Sequence, residues 1–482
     1  MSEVVVIKKI NEVYVKILCS PAVSMEMSEW FTFTVPGYKF MPAYRFSGWD
    51  GKIRLYNRKT SQIYAGLVQD IVERCQKENY TVELDPELAE TAYSVTEAKD
   101  FFESLNAKYK PKEYQARAFI QAIRANRGLF VSPTASGKSF IIFMLMKYFQ
   151  GNKLIIVPTV NLVNQMSSDF IDYDLAGKIG NDIHIIKAGA DKNANRLIVV
   201  STWQSIHKLP KEWFNKFKVV VGDECHLFKA NCLTSIMEKM VQTKYRYGLT
   251  GTLDGSLTNE MVLRGLFGKV HQVTTTKALM DSGDVAKLKI KAIVLKYDEA
   301  VCKAVKGGNY QDELAFLFAH EKRNEFIKKL ALSLKGNTLI IFSRVQDHGV
   351  PLYESLKTMT DLPVYTVHGG VDGDEREDIR KIVNSHENSI TVASAGTFST
   401  GVNIPNLNNI IFASPSKSRV RVMQSIGRGL RKSDMKNNCT LFDIADDLSY
   451  KKWKNYTLLH FVERIKMYIA EQFEFKQHNV RI

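Results

Sequence analysis

Six short apolar runs recur along this chain, at residues 154–157, 197–200, 219–221, 339–342, 390–393 and 410–413. Each is followed by polar or glycine-rich residues and then by a segment with helical periodicity. Runs without period-two alternation suit strands buried on both faces, and such strands belong to parallel sheets covered by helices. The predicted fold class is therefore doubly wound α/β. At 482 residues one core cannot serve the whole chain, so several units are expected. The rhythm weakens between Val270 and Lys289, which places the connection between two lobes there. The expected organisation is a small α+β domain over 1–95, α/β lobes over 96–280 and 281–447, and a helical extension over 448–482. In that extension Leu458, Val462, Ile465, Ile469 and Phe473 recur at helical spacing and predict its buried face.

The first lobe opens on VSPTASGKSF, residues 131–140. An apolar segment ends at Val131 and a helical pattern begins at Phe140, so the context is strand, tight loop, helix. That geometry points successive backbone N–H groups and a helix N-terminus at an anion. Thr134, Ala135, Ser136 and Gly137 would form the cradle, Lys138 would reach the β- and γ-phosphates of ATP, and Ser139 would ligate Mg²⁺. Ser132 stands where the usual pattern has its first glycine. In VVVGDECH, residues 219–226, a buried strand delivers Asp223 and Glu224 to its carboxyl end. Asp223 suits the metal shell and Glu224 suits activation of the attacking water. In QSIGRGLRK, residues 424–432, Gln424, Arg428 and Arg431 fit Q-x-x-G-R-x-x-R and would share one helix face. Paired guanidiniums need an anion, and arginines that stabilise a transferred phosphoryl raise rates by about 10³–10⁵. The three motifs together predict ATP clasped between two lobes and hydrolysed there.

With these residues established, 109–447 resembles the superfamily 2 helicases and translocases, whose lobes are RecA-like. KEYQ (112–115) resembles the adenine-reading motif, with Lys112 and Gln115 in contact with the nucleotide. VPTVNLVNQ (157–165), STWQS (201–205), GLTGTL (248–253) and FSR (342–344) are similar to motifs Ia, Ib, III and IV. SAGTFSTGVNIPNL (394–407) is similar to motif V and would bring Gly401 and Asn403 to the nucleotide. The resemblance implies sugar-phosphate contacts from Pro158, Thr159, Thr202, Ser343, Arg344 and Thr397, which position a strand without reading its sequence. The chain departs from the family at Lys112, often arginine there, at Gly222, usually apolar, and at Asn403, commonly aspartate.

A net charge of +15 and a pI near 9.3 fit a polyanionic partner, which the resemblance implies is DNA. The front end narrows the match. In YKFMPAYRFSGWDGKIRLYNRK (38–59), Asp50-Gly51 predicts a hairpin turn between 44–49 and 52–56. Lys52, Arg54 and Tyr56 would then share one face, with Lys52 and Arg54 on nucleic acid. This segment, PKEWF (210–214) and DECH together resemble the UvsW-type helicases of T4-like phages. That resemblance implies work on forks, four-way junctions and RNA–DNA hybrids in recombination, repair and replication. Alternatives are a duplex translocase that remodels protein–DNA complexes and an ATP-switched binding or annealing protein. The six cysteines form no CxxC pair, which speaks against a zinc or disulfide framework and for a reducing interior. Without a signal peptide or a bilayer-length apolar run, a cytoplasmic monomer with no membrane partner is expected, in the host cell if the protein is a phage's.

Overall fold

A computed structural model describes residues 3–187, 189–193, 195–228, 230–253, 256–400, 406–414, 418–430 and 438–482. The chain divides into two units, Met1–Ser132 with Gly137–Thr274, and Pro133–Ser136 with Thr275–Ile482. The first unit begins with β1 (Val4–Lys9), β2 (Tyr14–Leu18), β3 (Thr32–Thr34), β4 (Lys52–Arg54), β5 (Tyr56–Asn57), β6 (Gln62–Tyr64) and β7 (Thr81–Leu84). A five-stranded mixed sheet runs β5-β6-β2-β1-β7, and β3 pairs with β4 apart from it. Alternation turns Val5, Ile7, Val15 and Ile17 inward against Val23 and Met27 of helix Pro21–Trp30 and Ile71 of helix Val68–Lys77.

This small domain is fastened to the α/β lobe of the same unit. The phenols of Tyr14 and Tyr64 donate to one Glu238 oxygen at 2.7 and 2.8 Å, and Arg264 pairs with Asp70. Backbones meet at Gly66, where a Cβ would lie 2.2 Å from the carbonyl oxygen of Arg264.

Strands β8 (Arg127–Val131), β9 (Asn152–Val157), β10 (Ile183–Ile186), β11 (Ile198–Thr202), β12 (Phe217–Asp223), β13 (Tyr245–Thr250) and β14 (Val270–Gln272) complete the first unit. They form a seven-stranded sheet in the order β10-β11-β9-β12-β13-β8-β14, parallel throughout. Leu154 and Ile156 of β9 enter one apolar cluster, and Ile155 and Val157 enter the other. Both faces are thus covered, which is why the run carries no polar alternation.

The second unit repeats the plan with β15 (Lys287–Lys296), β16 (Thr338–Phe342), β17 (Val364–Val367), β18 (Ile390–Ser394), β19 (Asn409–Phe412), β20 (Asn438–Asp447) and β21 (Phe475–Arg481). Their order is β17-β18-β16-β19-β20-β15-β21, again parallel. Each of the six apolar runs falls to within one residue on a strand, β9, β11, β12, β16, β18 or β19. Among the described residues no helix is long and apolar enough to cross a membrane.

Three local expectations are corrected. The C-terminal extension holds helix Tyr456–Ala470 but ends in β21, an edge strand added beside β15. The buried face of that helix is Thr457, Phe461, Arg464 and Tyr468, whereas Val462 and Ile469 are exposed. Leu458 and Ile465 pack at the edge of that face and Phe473 is buried, as expected, but the centre of the face is shifted by one residue to include Arg464 and Tyr468. Arg464 grips Asp443 through two nitrogens at 2.7 and 2.9 Å, and Tyr468 donates to the same carboxylate at 2.9 Å. Arg464→Met should therefore strand a buried carboxylate and cost about 3–5 kcal/mol, read as an earlier unfolding transition in urea. Near-neutral stability would mean that Asp443 is reached by solvent.

The third correction concerns Asp50-Gly51. Pro42–Phe46 is helical, and β4 pairs with β3 rather than with 44–49. Lys52 and Arg54 do share an exposed face, but the strand breaks at Leu55 and Tyr56 turns into the core.

Candidate functional site

Strands β8, β13 and β12 are consecutive neighbours and parallel, so their carboxyl ends bring three sequence-distant loops together. After β8 the chain turns sharply. The Ser136 hydroxyl donates to the Pro133 carbonyl at 2.7 Å, and Ala135 and Gly137 adopt φ of +68° and +77°. Glycine suits the second of these positions on two counts. Its φ is left-handed, and a Cβ would lie 2.4 Å from Nε2 of Gln115. Helix Lys138–Tyr148 then starts directly from the loop. Ser132, the off-pattern residue, is fully buried and donates its N–H to the Thr250 carbonyl at 2.9 Å. It ties the loop to β13.

Lys138 Nζ lies 3.2 Å from Glu224 Oε1 and 3.2 Å from the Ser132 carbonyl oxygen. The second Glu224 oxygen accepts the Gly251 N–H at 3.2 Å. Glu224 itself sits at φ +47°, a strained placement for a non-glycine residue. Burial works against its charge, yet Lys138 and then His226 hold its pKa below the usual value. For Asp223 the balance runs the other way, since burial and then the Glu224 carboxylate raise its pKa. Its Oδ1 is buried with no hydrogen-bond partner. A buried carboxylate oxygen left so is costly, and a cation beside a phosphate loop removes that cost. The residues therefore fit Mg²⁺, which takes one or two carboxylates and completes its shell with phosphate and water. Ser139, the other expected ligand, shares a 2.8 Å hydrogen bond with the Tyr173 phenol.

Gln115 is buried at the start of helix Glu113–Ala125, where its Oε1 accepts the N–H of exposed Lys112 at 2.9 Å. Gly222 faces Phe267, whose ring would lie 3.0 Å from a Cβ, so a larger residue there requires that ring to give by a few tenths of an ångström. One link went unread in the sequence: His226 Nδ1 lies 2.5 Å from the Thr250 hydroxyl and 3.5 Å from Glu224. It connects the DECH segment to GLTGTL, and only the adjacency of β12 and β13 reveals it.

The strand-end residues assigned to nucleic acid fall into two groups. In the first unit Pro158 and Thr159 follow β9, and Thr202 is the last residue of its neighbour β11. Thr159 caps helix Val160–Tyr173, and the Thr202 hydroxyl pairs with Ser205 at 2.9 Å, so both already have local partners. In the second unit Ser343 and Arg344 follow β16, and Thr397 follows its neighbour β18. Arg344 donates to Gln311 at 2.5 Å, and a 650 Å³ cavity opens beside it, lined also by Ser343, Ser414 and Tyr310. Gln424 is buried in helix Arg419–Gly429. The Arg428 side chain, and Gly401, Asn403 and Arg431 entirely, lie outside the described residues.

A protein of Enterobacteria phage T4, the ATP-dependent DNA helicase uvsW, is 35% identical to this chain across 97% of the chain and 98% of its own length. The chain belongs to the UvsW helicase family. The family described as DNA helicase UvsW, N-terminal, matches residues 6–85. Type III restriction enzyme, res subunit, matches 108–255, and Helicase conserved C-terminal domain matches 321–433. The crystal structure of T4 UvsW aligns over all of both chains at 31% identity and a TM-score of 0.53. More distantly, the DNA 3'-5' translocase XPB2 of Sulfurisphaera tokodaii is 26% identical over 69% of this chain and 81% of its own. As a UvsW-family member the chain is an ATP-dependent DNA helicase of superfamily 2.

Proposed function

We propose that this helicase remodels branched DNA, regressing forks, migrating four-way junctions and unwinding R-loops. The observation that carries the reading is the fastening of the N-terminal domain, which bears the basic, aromatic-rich segment 38–59, to the same unit as the ATP site, through Glu238, Arg264 and Gly66. A domain so fixed follows each step of the lobe that turns over nucleotide. Its exposed Lys52 and Arg54 then grip a duplex while the strand ends of both units hold a single strand.

In the chemical step, phosphate oxygens draw Lys138 away from Glu224, which frees that carboxylate to accept a proton from water. The Gly251 N–H keeps Glu224 oriented while it does so. Asp223 would hold Mg²⁺, with Ser139 joining once it leaves Tyr173, and the ion supplies charge neutralisation on the phosphates when bound. Thr134, Ala135, Ser136 and Gly137 cradle the phosphates. Lys112, Gln115, Gly401 and Asn403 contact the rest of the nucleotide. Gln424, Arg428 and Arg431 meet the transferred phosphoryl group. The cycle needs no partner chain, and a monomer in the host cytoplasm suffices.

The decisive experiment is ATP-driven strand displacement on a fork, a mobile four-way junction, an R-loop and a tailed linear duplex. The branched substrates should be processed faster than the tailed duplex. Equal rates on all four would favour a motor indifferent to branching. Replacing Lys52 and Arg54 together by alanine should weaken fork binding by about tenfold at moderate salt, because phosphate contacts carry most of the affinity. ATP turnover saturated with short single strands should be little changed. Parallel loss of both would indicate damage to the fold.

A further inference from the structure

Among the described residues the second sheet ends at β21, whose outer edge has no strand beside it. At seven residues it is the longest edge strand described, and its register with β15 runs unbroken from Ile290↔Phe475 to Lys296↔Arg481. A regular edge of this kind is a ready template for another chain. The face beside it is bare as well. Alternation places Lys287, Lys289 and Lys291 of β15 on one side of the sheet, in line with Lys476 and His478 of β21. Further along the same side Ile293, Leu295 and Val480 lie against an apolar cluster. The three lysines at the amino end of β15 are exposed instead, as are Lys476 and His478. Parallel sheets are ordinarily covered on both faces, and this corner is not.

The charges here are one-sided. Lys291 stands directly across from Lys476, and like charges so placed destabilise a sheet. Asp447 takes Lys296, and Asp298 takes Arg481 at 3.0 Å. Glu474, just ahead of β21, forms no ion pair with any of the four lysines, nor does any other described acid. Lys476 alone would serve as a guard against indiscriminate pairing. Lys287, Lys289 and Lys291 are not needed for that, because β15 lies inside the sheet. Sites for single-stranded nucleic acid add exposed aromatic platforms to their cations. On this face Phe442 is buried beneath Lys291, whose Nζ lies 5.4 Å from the ring centroid. A second copy of β21 would set Lys476, His478 and Arg481 against their like. An extended acidic peptide meets both demands. Its backbone completes the edge, and a rise of about 3.3 Å per residue makes alternate acids repeat at the roughly 6.6 Å pitch of the lysine row.

We propose that the outer edge of β21 and the lysine face beside it dock an extended, acidic segment of a partner protein, which joins the sheet as a further strand. Main-chain hydrogen bonds to β21 supply the affinity. Alternate side chains that meet Lys476, with Lys291 and Lys289 behind it, select acids. The edge is already ordered by its pairing with β15, so only the arriving segment has freedom to lose. Because the strands are parallel, the lysines at the amino end of β15 lie at the opposite end of the sheet from Ser343 and Arg344, which follow β16. A docked segment therefore leaves those strand-end residues free. Docking needs neither ATP nor DNA.

The probe is a short fluorescein-labelled peptide alternating glutamate and valine, titrated against the full chain as wild type and as Lys289→Gln/Lys291→Gln/Lys476→Gln. Wild type should bind it, and the variant should bind about tenfold more weakly or worse, as expected for the loss of three exposed ion pairs. Hydrogen exchange over 475–481 should slow in the wild-type complex, which charge attraction alone would not produce. A fully N-methylated peptide, equally charged but without N–H donors, should lose most of the affinity. ATP turnover on single strands and the thermal midpoint of the variant should be retained, since all three side chains are exposed. Absence of binding, or equal affinity in wild type and variant, overturns the proposal. Equal binding of the N-methylated peptide with exchange over 475–481 unaltered also overturns it, and leaves a diffuse cationic patch. A short single strand of DNA that displaces the peptide and loses the same affinity in the variant would give the face to nucleic acid instead. The titration involves no branched substrate, so its failure and that of the branched-DNA reading are told apart.

Discussion

Replacing Lys138 by alanine is expected to lower DNA-stimulated ATP turnover by about 10²–10³-fold, the loss seen when one pre-placed donor is withdrawn from a developing anion. Nζ already stands 3.2 Å from both Glu224 and the Ser132 carbonyl, at the mouth of the loop that Ala135 and Gly137 bend into shape. The side chain is therefore held where the proposed site would receive phosphate. DNA affinity should be retained, because the strand-end residues and the basic N-terminal face lie on other segments. Steady-state hydrolysis and fluorescence anisotropy, measured on one preparation, decide the matter. Turnover close to wild type would take the loop out of the chemistry.

Glu224→Gln should have an effect of similar size with a different signature. Glutamine keeps an oxygen for the Gly251 N–H but cannot take a proton, so hydrolysis should fall by about 10²–10⁴-fold while ATP still binds. Loss of a negative charge opposite Lys138 leaves that cation to the phosphates, so nucleotide affinity should hold or rise. Equilibrium nucleotide binding beside single-turnover hydrolysis separates the two steps. Hydrolysis near the wild-type rate would move water activation to another group.

The sharp turn between β8 and helix Lys138–Tyr148 was readable in the chain because each requirement expected of it is local. A left-handed backbone asks for glycine, a phosphate asks for lysine, and a buried parallel strand asks for an unbroken apolar run. The C-terminal stripe was read in part: Leu458, Ile465 and Phe473 pack inward, but Arg464 and Tyr468 face inward too, and what makes that tolerable is Asp443, on a strand more than twenty residues away. The hairpin at Asp50-Gly51 was misread for a related reason. Its turn chemistry is local, but β4 found its partner in β3, beyond a loop that packs on itself.

The order of residues thus determined, unaided, that this protein would be two parallel α/β lobes with a strand–loop–helix turn ahead of Lys138, a paired-acid strand end and a small front domain. Periodicity and backbone preference act over a few residues, and a single chain displays them openly. Tertiary structure alone decided that β8, β13 and β12 lie side by side, so that Lys138, Gly251 and Glu224 meet. It alone decided that Gly66 lets one backbone touch another and that Lys476 stands across from Lys291. Those outcomes depend on which distant surfaces exclude water together, and no short window of sequence contains both partners.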